Sequence, residues 1–485
     1  MIREPSAIPE AQRIWFQPGL DRLAALAQDP DPGIRSFFSS DQPVFLARAP
    51  GRLDVMGGIA DYSGAQVLEL PLERSTSVLV QRQAAPYVEL ASRREGRWDT
   101  ARIELSLLSG ALADPAALRA WSGSSPIGRW AAYPLGVLQY CLRLPGLSTE
   151  DTHLGFRLLI DSSVPEGKGV ASSAALEVAS MFAVLASCHT EMAPARIASA
   201  CQWVENHVVG APCGIMDQMT SACGVQDRLL LLRCQPDLVE GFVPVPPGYR
   251  FFGIDSGVRH DVSAADYGTV RTAAFMGYRM IAAMAGLRVS GDRGTIQVED
   301  PAWHGYLANI SPEDFRNHFE RSLPEQVSGA DFLEQFGGIT DPVTRVWPER
   351  HYPVRQATAH PIGEQARVAR FVDLLRRLPD SPALAGEVGE LMYASHRSYG
   401  ACGLGSPGTD RLVELIAEAG PRRGMYGAKI TGGGSGGTVA VFGRAGGTGV
   451  IDDIARRYTR ETGRETEVFE CSGPGAGETG VVRAG

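Results

Sequence analysis

Residues 164–175 read Val-Pro-Glu-Gly-Lys-Gly-Val-Ala-Ser-Ser-Ala-Ala. A strand-like run ends at Gly167 and Gly169, two serines follow, and an Ala-rich helical segment begins. Glycines let a backbone approach an anion closely, and the helix behind them offers free N–H groups and the positive end of its dipole. Ser172 and Ser173 add hydroxyls for a phosphate oxygen or a metal ion. The segment is not a Walker A loop, because Gly-x-x-x-x-Gly-Lys-Ser/Thr is absent. Further along, Glu205 falls on a helical segment, and Asp217 follows the break at Pro212-Cys213-Gly214. Two carboxylates close to a phosphate loop suggest two roles. One holds Mg2+ together with a serine hydroxyl, and the other receives or orients the proton of a substrate hydroxyl. Taken singly, Glu205 could be a solvated helix residue and Asp217 a helix cap.

Two more segments could complete such a site. Pro50 to Gly64 packs Arg52, Asp54, Asp61 and four glycines behind the apolar run Val44 to Ala47. Charges crowded beside a buried strand cost desolvation energy unless they pair or bind something. Thr431 to Gly437 holds five glycines in seven positions. It formally matches a dinucleotide fingerprint and a hydrolase nucleophile elbow. A strand rather than a helix follows it, and no histidine lies beyond it, since the last is His396; both matches therefore fail. A second Gly-rich loop meeting the first from another lobe fits better. Asp255 to Asp261 places Arg259 and His260, and later Tyr267, on a loop after a short strand. The histidines show no zinc-binding spacing.

These loops need elements to hold them. Strand-like alternation occurs at 44–49, 67–71, 77–82 and 87–91, after a lead-in helix around 21–27. Helical periodicity covers 130–142, 172–188 and 194–209, and a strand covers 154–160. Short buried strands follow at 229–232 and 251–254. A loop-rich stretch at 295–365 precedes helices at 363–377 and 384–398. The chain closes with strands around 428–442, a helix at 448–461 and a strand at 466–470. The order suggests an α+β architecture in two lobes, one spanning 1–225 and the other 226–485, the latter with an insertion near 295–365.

Composition bounds the class. The 485 residues suffice for two or more domains, and 44% hydrophobic with 21% charged residues is ordinary for a globular protein. A formal net charge of −9 argues against nucleic acid as a partner. The eight cysteines include no Cys-x-x-Cys pair and read as reduced thiols of a cytoplasmic protein. No signal peptide is expected at the N-terminus. The most apolar stretch, 170–188, carries Glu177 and reads as a buried helix, not a membrane span.

In combination and in order, the motifs resemble the three signatures of the GHMP small-molecule kinases (galactokinase, homoserine, mevalonate and phosphomevalonate kinases). Pro212 to Gln218, Asp255 to His260 and Ser395 to Ser398 are similar to sugar-1-kinases of the galactokinase type. The resemblance runs from about 44 to 470. It implies a two-lobe fold, with an N-terminal lobe like ribosomal protein S5 domain 2, a ferredoxin-like C-terminal lobe and the site between them. By position, Asp217 matches the catalytic aspartate and Arg52 its partner at the anomeric hydroxyl. Asp61, Gly58, Ile59, Cys213, Gly214 and Tyr267 match sugar contacts. Trp130 matches a residue at the adenine pocket. The residues from Pro165 through Gly167, Lys168, Gly169, Val170 and Ala171 to Ser172 and Ser173 match the ATP loop, joined by Gly433 and Gly434. Ser173 and Glu205 match the Mg2+ ligands. The implied ligands are ATP, Mg2+ and a small sugar, bound by a monomer or weak homodimer.

One departure bears on the sugar. Galactokinases carry a Glu-His pair where this chain has Gly58 and Ile59, and that Glu binds the 6-hydroxyl of galactose. L-Arabinopyranose shares galactose's ring stereochemistry but lacks the hydroxymethyl group. An unpaired carboxylate facing that gap costs about 1–3 kcal/mol. The stretches Arg52 to Gly64 and Gly210 to Gly224 also look like plant-type L-arabinokinases, whose extra N-terminal glycosyltransferase-like domain this sequence is expected to lack. The expected activity is formation of L-arabinose 1-phosphate. The rivals are a galactokinase of relaxed specificity and a non-catalytic sugar sensor on the same fold.

Overall fold

The computed structural model describes residues 2–4, 8–94, 96–125, 128–144, 154–259, 265–291 and 294–484. His260 and Asp261 lie outside the described residues. The lead-in helix spans Glu10–Ala25. Two long strands, β1 (Val44–Met56) and β2 (Gln66–Gln83), form the spine of the larger sheet. They pair antiparallel from Val44 opposite Gln81 to Met56 opposite Leu68, with register breaks between Pro50 and Arg52 and between Asp54 and Met56. Bulges of this kind re-aim side chains, and here they flank the charged residues of β1.

The runs expected at 67–71 and 77–82 are parts of one strand. The exposed residues Glu73 and Arg74 between them mark where β2 changes neighbours. Its second half pairs with β3 (Gly155–Ser162), and its first half with β4 (Arg228–Arg233). The full sheet has nine strands. Ile2–Arg3 and Val481–Ala484 lie beyond β1, Tyr87–Arg94 and Arg97–Glu104 beyond β3, and Leu238–Pro244 beyond β4. Strands from past residue 225 thus belong to the first sheet, at odds with a division there. The length of β2 is the reason, since one edge of it accommodates two neighbours. Helices α1 (Ala132–Cys141), α2 (Ser172–Ser187), α3 (Pro194–Val204) and α4 (Met216–Cys223) contribute to its core, where Val80 and Leu158 of the sheet join Val178, Met181, Ile197, Val204 and Met219.

The second sheet is antiparallel. Its centre is β5 (Tyr249–Asp255), and helices α5 (Ala265–Met284), α6 (Val354–Arg377), α7 (Ala385–Ala401) and α8 (Pro407–Ala419) separate it in sequence from β6 (Met425–Ile430) and β7 (Thr438–Arg444). The strand order is β6, β7, β5, then Val468–Phe469. Phe251 and Phe442 join Phe371 of α6, Met392 of α7 and Leu53 and Leu70 of the first sheet in one core. Phe252 and Ile254 pack with α8 and with α9 (Thr448–Thr462).

The 295–365 stretch is less irregular than expected. It contains the helix Gly329–Phe336 and the short strands Gln297–Glu299, Val327–Ser328, Gly338–Ile339 and His351–Tyr352. α6 begins at Val354, earlier than expected, and carries Pro361 inside it. Phe315, Phe332, Ile339 and Tyr352 of this stretch form a core with α5 and with Ile59. No helix among the described residues is long and apolar enough to cross a membrane, and α2, the apolar segment, is buried in the core.

One ion pair joins the two sheets. The Lys429 ammonium on β6 lies 2.7 Å from Oδ2 of Asp54 on β1, and both side chains are fully buried. Asp54 also accepts the N–H groups of Gly58 and Gly432, each at 3.1 Å. Removing one partner of a buried pair leaves the other charge uncompensated. Lys429→Met is therefore expected to lower the unfolding free energy by about 3–5 kcal/mol, read by urea titration; wild-type stability would contradict this role for the pair.

Candidate active site

Arg52 organises the cleft. The bulge in β1 brings Gly51 against the phosphate-loop backbone, where a Cβ would stand 2.6 Å from the Val170 carbonyl. The Arg52 N–H donates to that carbonyl at 3.0 Å. Its guanidinium, 2% exposed, donates from Nε to Asp217 Oδ1 at 2.9 Å and from Nη1 to the Gly169 carbonyl at 2.6 Å. Nη2 is 2.8 Å from the same Asp217 oxygen. Glu69 of β2 stands behind, its Oε2 3.4 Å from Nε, with neither oxygen hydrogen-bonded. Burial opposes the charge on Arg52, but Asp217, Glu69 and Asp54 outweigh it and hold the guanidinium protonated more firmly than usual. Burial pushes the Glu69 carboxyl well above its ordinary range, and neighbouring Asp54 adds to this.

The two glycine-rich loops meet over Arg52. Thr431 donates to the Gly169 carbonyl at 3.3 Å, and Thr438 to the Lys168 carbonyl at 2.8 Å. A Cβ on Gly437, whose φ is +73°, would lie 2.8 Å from that Lys168 oxygen. Only a glycine permits both this conformation and this approach. The first loop runs through Ala171, in the left-handed region, into Ser172 and Ser173 at the start of α2. Their position at the helix N-terminus suits an anion.

Asp217 stands in the first turn of α4, its side chain 22% exposed. Glu205 lies not on regular α-helix but on the π-helical turn Glu205–Val209 that follows α3, the kind of irregularity that often marks functional sites. Gln218 donates to Glu205 Oε2 at 2.6 Å. Burial pushes the Glu205 carboxyl up to about 7, Asp217 adds to that, and a hydrogen bond with Ser173 opposes it. Glu177, buried on α2, is raised well above its ordinary range, first by burial and then by Glu205. A serine hydroxyl bonded to a buried carboxylate at a helix start is an all-oxygen donor set, and such sets fit Mg2+.

At the far end, Asp61 is buried against the loop after Pro212. A Cβ on Gly214 would lie 1.6 Å from Asp61 Oδ2, so only glycine fits there. Burial first, and the charge of Asp217 second, push the Asp61 carboxyl up to about 7. Tyr267, expected on a loop, sits in the first turn of α5 with its ring edge-on to Tyr62. One turn further along α5, Arg271 donates from Nε and Nη2 to Asp341 at 2.8 and 2.9 Å, and from Nη1 to the Cys213 carbonyl at 2.9 Å. Asp341 comes from the 295–365 stretch, which thereby buttresses the loop holding Cys213 and Gly214.

The cleft so formed is lined by Arg52, Ile59, Asp61, Gly167, the residues 169–173, Glu205, Pro212, Cys213, Gly214, Met216, Asp217, Tyr267 and Gly433. Gly58, Trp130, Pro165, Lys168 and Gly434 do not line it. The Lys168 ammonium turns instead to Asp255 at 2.7 Å and Glu467 at 3.3 Å, so it ties the loop to the second sheet. Trp130 packs half-buried against the first core. Sequence reasoning missed Glu69, Pro212, Met216, Arg271 and Asp341. Glu69 is signalled as the one charge in the apolar run 67–72. Arg271 follows Tyr267 by four residues, the spacing of one helix face, and this becomes visible once that segment is known to be helical.

Between its ordinary value of 3.8 and about 7, Asp61 in the folded chain keeps a proton that the unfolded chain has released. Its contribution to stability therefore declines as pH rises through that window. Asp61→Asn, which cannot ionise, is expected to melt above the parent at pH 8 and level with it at pH 4. A variant melting lower than the parent at pH 8 contradicts this.

The cleft's parts agree with what the chain is similar to. The model described as GHMP kinases N terminal domain matches residues 132–225, and GHMP kinases C terminal matches 381–458. The galactokinase galactose-binding signature matches 35–82. The L-arabinokinase of Arabidopsis thaliana is 40% identical over 494 aligned positions, covering 92% of this chain; the chain spans 47% of that relative's length. The galactokinase of Homo sapiens is 30% identical over 418 positions, covering 86% of this chain and 88% of its own. The structure of Lactococcus lactis galactokinase complexed with galactose shares the fold, with a TM-score of 0.69 at 19% identity, covering 94% of this chain and 99% of that one. The two glycine-rich loops and the Arg52–Asp217 pair between them thus sit on a known scaffold, and the chain belongs to the galactokinase branch of the GHMP kinase family.

Proposed function

We propose that the cleft transfers the terminal phosphoryl group of ATP to the anomeric hydroxyl of a galacto-configured sugar, with L-arabinose preferred, giving L-arabinose 1-phosphate. The observation that carries this reading is the Arg52–Asp217 pair facing the N-terminus of α2 across one cleft. Gly167, Gly169 and the start of α2 cradle the phosphates through backbone N–H groups. Ser173 and Glu205 would hold Mg2+, which when bound offsets the charge of the phosphate oxygens. Asp217 orients the anomeric hydroxyl and receives its proton, and Arg52 stabilises the oxygen as charge develops on it. Asp61, Tyr267 and the Cys213–Gly214 backbone hold the sugar's other hydroxyls. The eight cysteines, none of them in a disulfide among the described residues, suit a reducing cytoplasm.

The sugar preference rests on Ile59. It is an apolar side chain in a cleft that Arg52 and Asp61 also line, and it suits the ring CH2 of a pentopyranose. A hydroxymethyl group against it would leave a hydroxyl without a partner, at a cost of about 1–3 kcal/mol. Similarity to an L-arabinokinase over nearly the whole chain supports the same choice. An ADP-release screen over L-arabinose, D-galactose, D-galacturonate, D-glucuronate and L-fucose tests it. The expected result is higher kcat/KM with L-arabinose than with D-galactose. The reverse order makes this a galactokinase, and no ADP with any sugar makes it a binding protein. Asp217→Asn is expected to lower kcat about 10²–10⁴-fold; near-normal turnover removes Asp217 from the mechanism.

A further inference from the structure

Gly58 opens the turn Gly58–Ser63 after β1 and does not line the cleft. Its φ is +43°, and a Cβ there would lie 1.6 Å from the Tyr399 hydroxyl oxygen, 2.9 Å from Tyr399 Cζ and 2.7 Å from Asp54 Oδ2. Tyr399, on α7, thus occupies the space that any side chain at position 58 would need. The tyrosine is fully buried, and its hydroxyl bridges the two sides of the site. It accepts the Ile59 N–H at 2.9 Å and donates to the Gly432 carbonyl at 3.0 Å. Its ring packs edge-on against His360 and lies under the Lys429 ammonium. Tyr399 does not line the cleft.

We propose that Tyr399 is a specificity-determining positioning residue: by filling the volume beside Gly58 and fixing the Ile59 amide, it keeps polar side chains out of the sugar end and sets the cleft for a pyranose without an exocyclic hydroxymethyl group. This rests on the sugar-1-kinase reading above. The argument is steric and polar together. Position 58 is the neighbour of the apolar wall residue, and a polar group that could serve a hydroxymethyl oxygen would have to start from its Cβ. With the tyrosine in place there is no room for that Cβ. The same hydroxyl satisfies Ile59's buried N–H, so the wall residue is held where it is by the group that excludes its alternative. Burial raises the Tyr399 hydroxyl well above its ordinary range, so it stays protonated and able to donate to Gly432.

The test uses Tyr399→Phe, Gly58→Ala and the double variant, with kcat and KM measured for L-arabinose, D-galactose and ATP. Tyr399→Phe keeps the ring and loses the hydroxyl's hydrogen bonds with Ile59, Gly432 and Asp54. It is expected to raise KM for L-arabinose about 5–20-fold and to narrow the L-arabinose to D-galactose preference, while KM for ATP stays within about twofold. Gly58→Ala alone is expected to lose at least about 10-fold in kcat/KM, and adding Tyr399→Phe is expected to recover part of that loss, because the nearest clash is gone. Full recovery is not expected, since Asp54 remains close. A Tyr399→Phe enzyme with unchanged sugar KM and preference overturns the proposal. So does a Gly58→Ala loss that is the same in either background, or a general fall in kcat with all KM values constant. If the parent prefers D-galactose, the sugar assignment fails, while the Gly58–Tyr399 coupling measured on that sugar still decides the role of Tyr399.

Discussion

A guanidinium buried to 2% exposure costs several kcal/mol of hydration unless partners replace the water. Arg52 draws those partners from separate parts of the chain: Asp217 at the start of α4, the Gly169 carbonyl in the phosphate loop and Glu69 on β2. Satisfying one side chain therefore assembles three of the site's components. The bulge in β1 makes the arrangement reachable, because it sets Gly51 and the Arg52 amide directly against Val170. Strand, loop and helix start are fixed relative to one another before any ligand enters.

The two sheets are joined by the same logic one residue pair further along. Asp54 is the next-but-one residue to Arg52, and it takes Lys429, Gly432 and Gly58 as partners. The glycine-rich loop at 431–437 is then pressed onto the phosphate loop closely enough that backbone carbonyls accept from Thr431 and Thr438. Glycines are required here for approach as much as for conformation. A chain that must bring two loops within hydrogen-bonding distance, over a buried arginine, has no room for Cβ atoms between them.

The cleft also carries more acid than base. Asp61, Asp217 and Glu205 line it against a single arginine, and burial holds Asp61 and Glu205 near pH 7. Such groups are poorly placed for the stability of the empty protein. Buried carboxylates with raised pKa values inside a cleft are the kind of groups that mark functional sites. The 295–365 stretch contributes through Asp341, which orients Arg271 and through it the Cys213–Gly214 backbone. A stretch that contributes no lining residue thus positions the Cys213–Gly214 end of the cleft.

Much of this was legible in the residues themselves. The Gly/Ser loop at 164–175, the glycine run at 431–437, Arg52, Asp61, Glu205 and Asp217 declare themselves because local spacing and chemical type carry their meaning, and the structure gathers them into one cleft. Other features depend on partners hundreds of residues away, and no local pattern encodes those. Lys168 looks like a phosphate ligand until Asp255 and Glu467 are seen to hold it. Gly58 and Ile59 read as one substitution, but only Ile59 faces the cleft, while Gly58 faces Tyr399. Tyr267 reads as a loop residue until α5 is traced through it. The sequence by itself determined the chemistry, since reactive side chains keep their nature wherever they lie. The tertiary structure decided orientation, burial and which neighbour each group meets, because desolvation and close contact are properties of packing and not of sequence spacing.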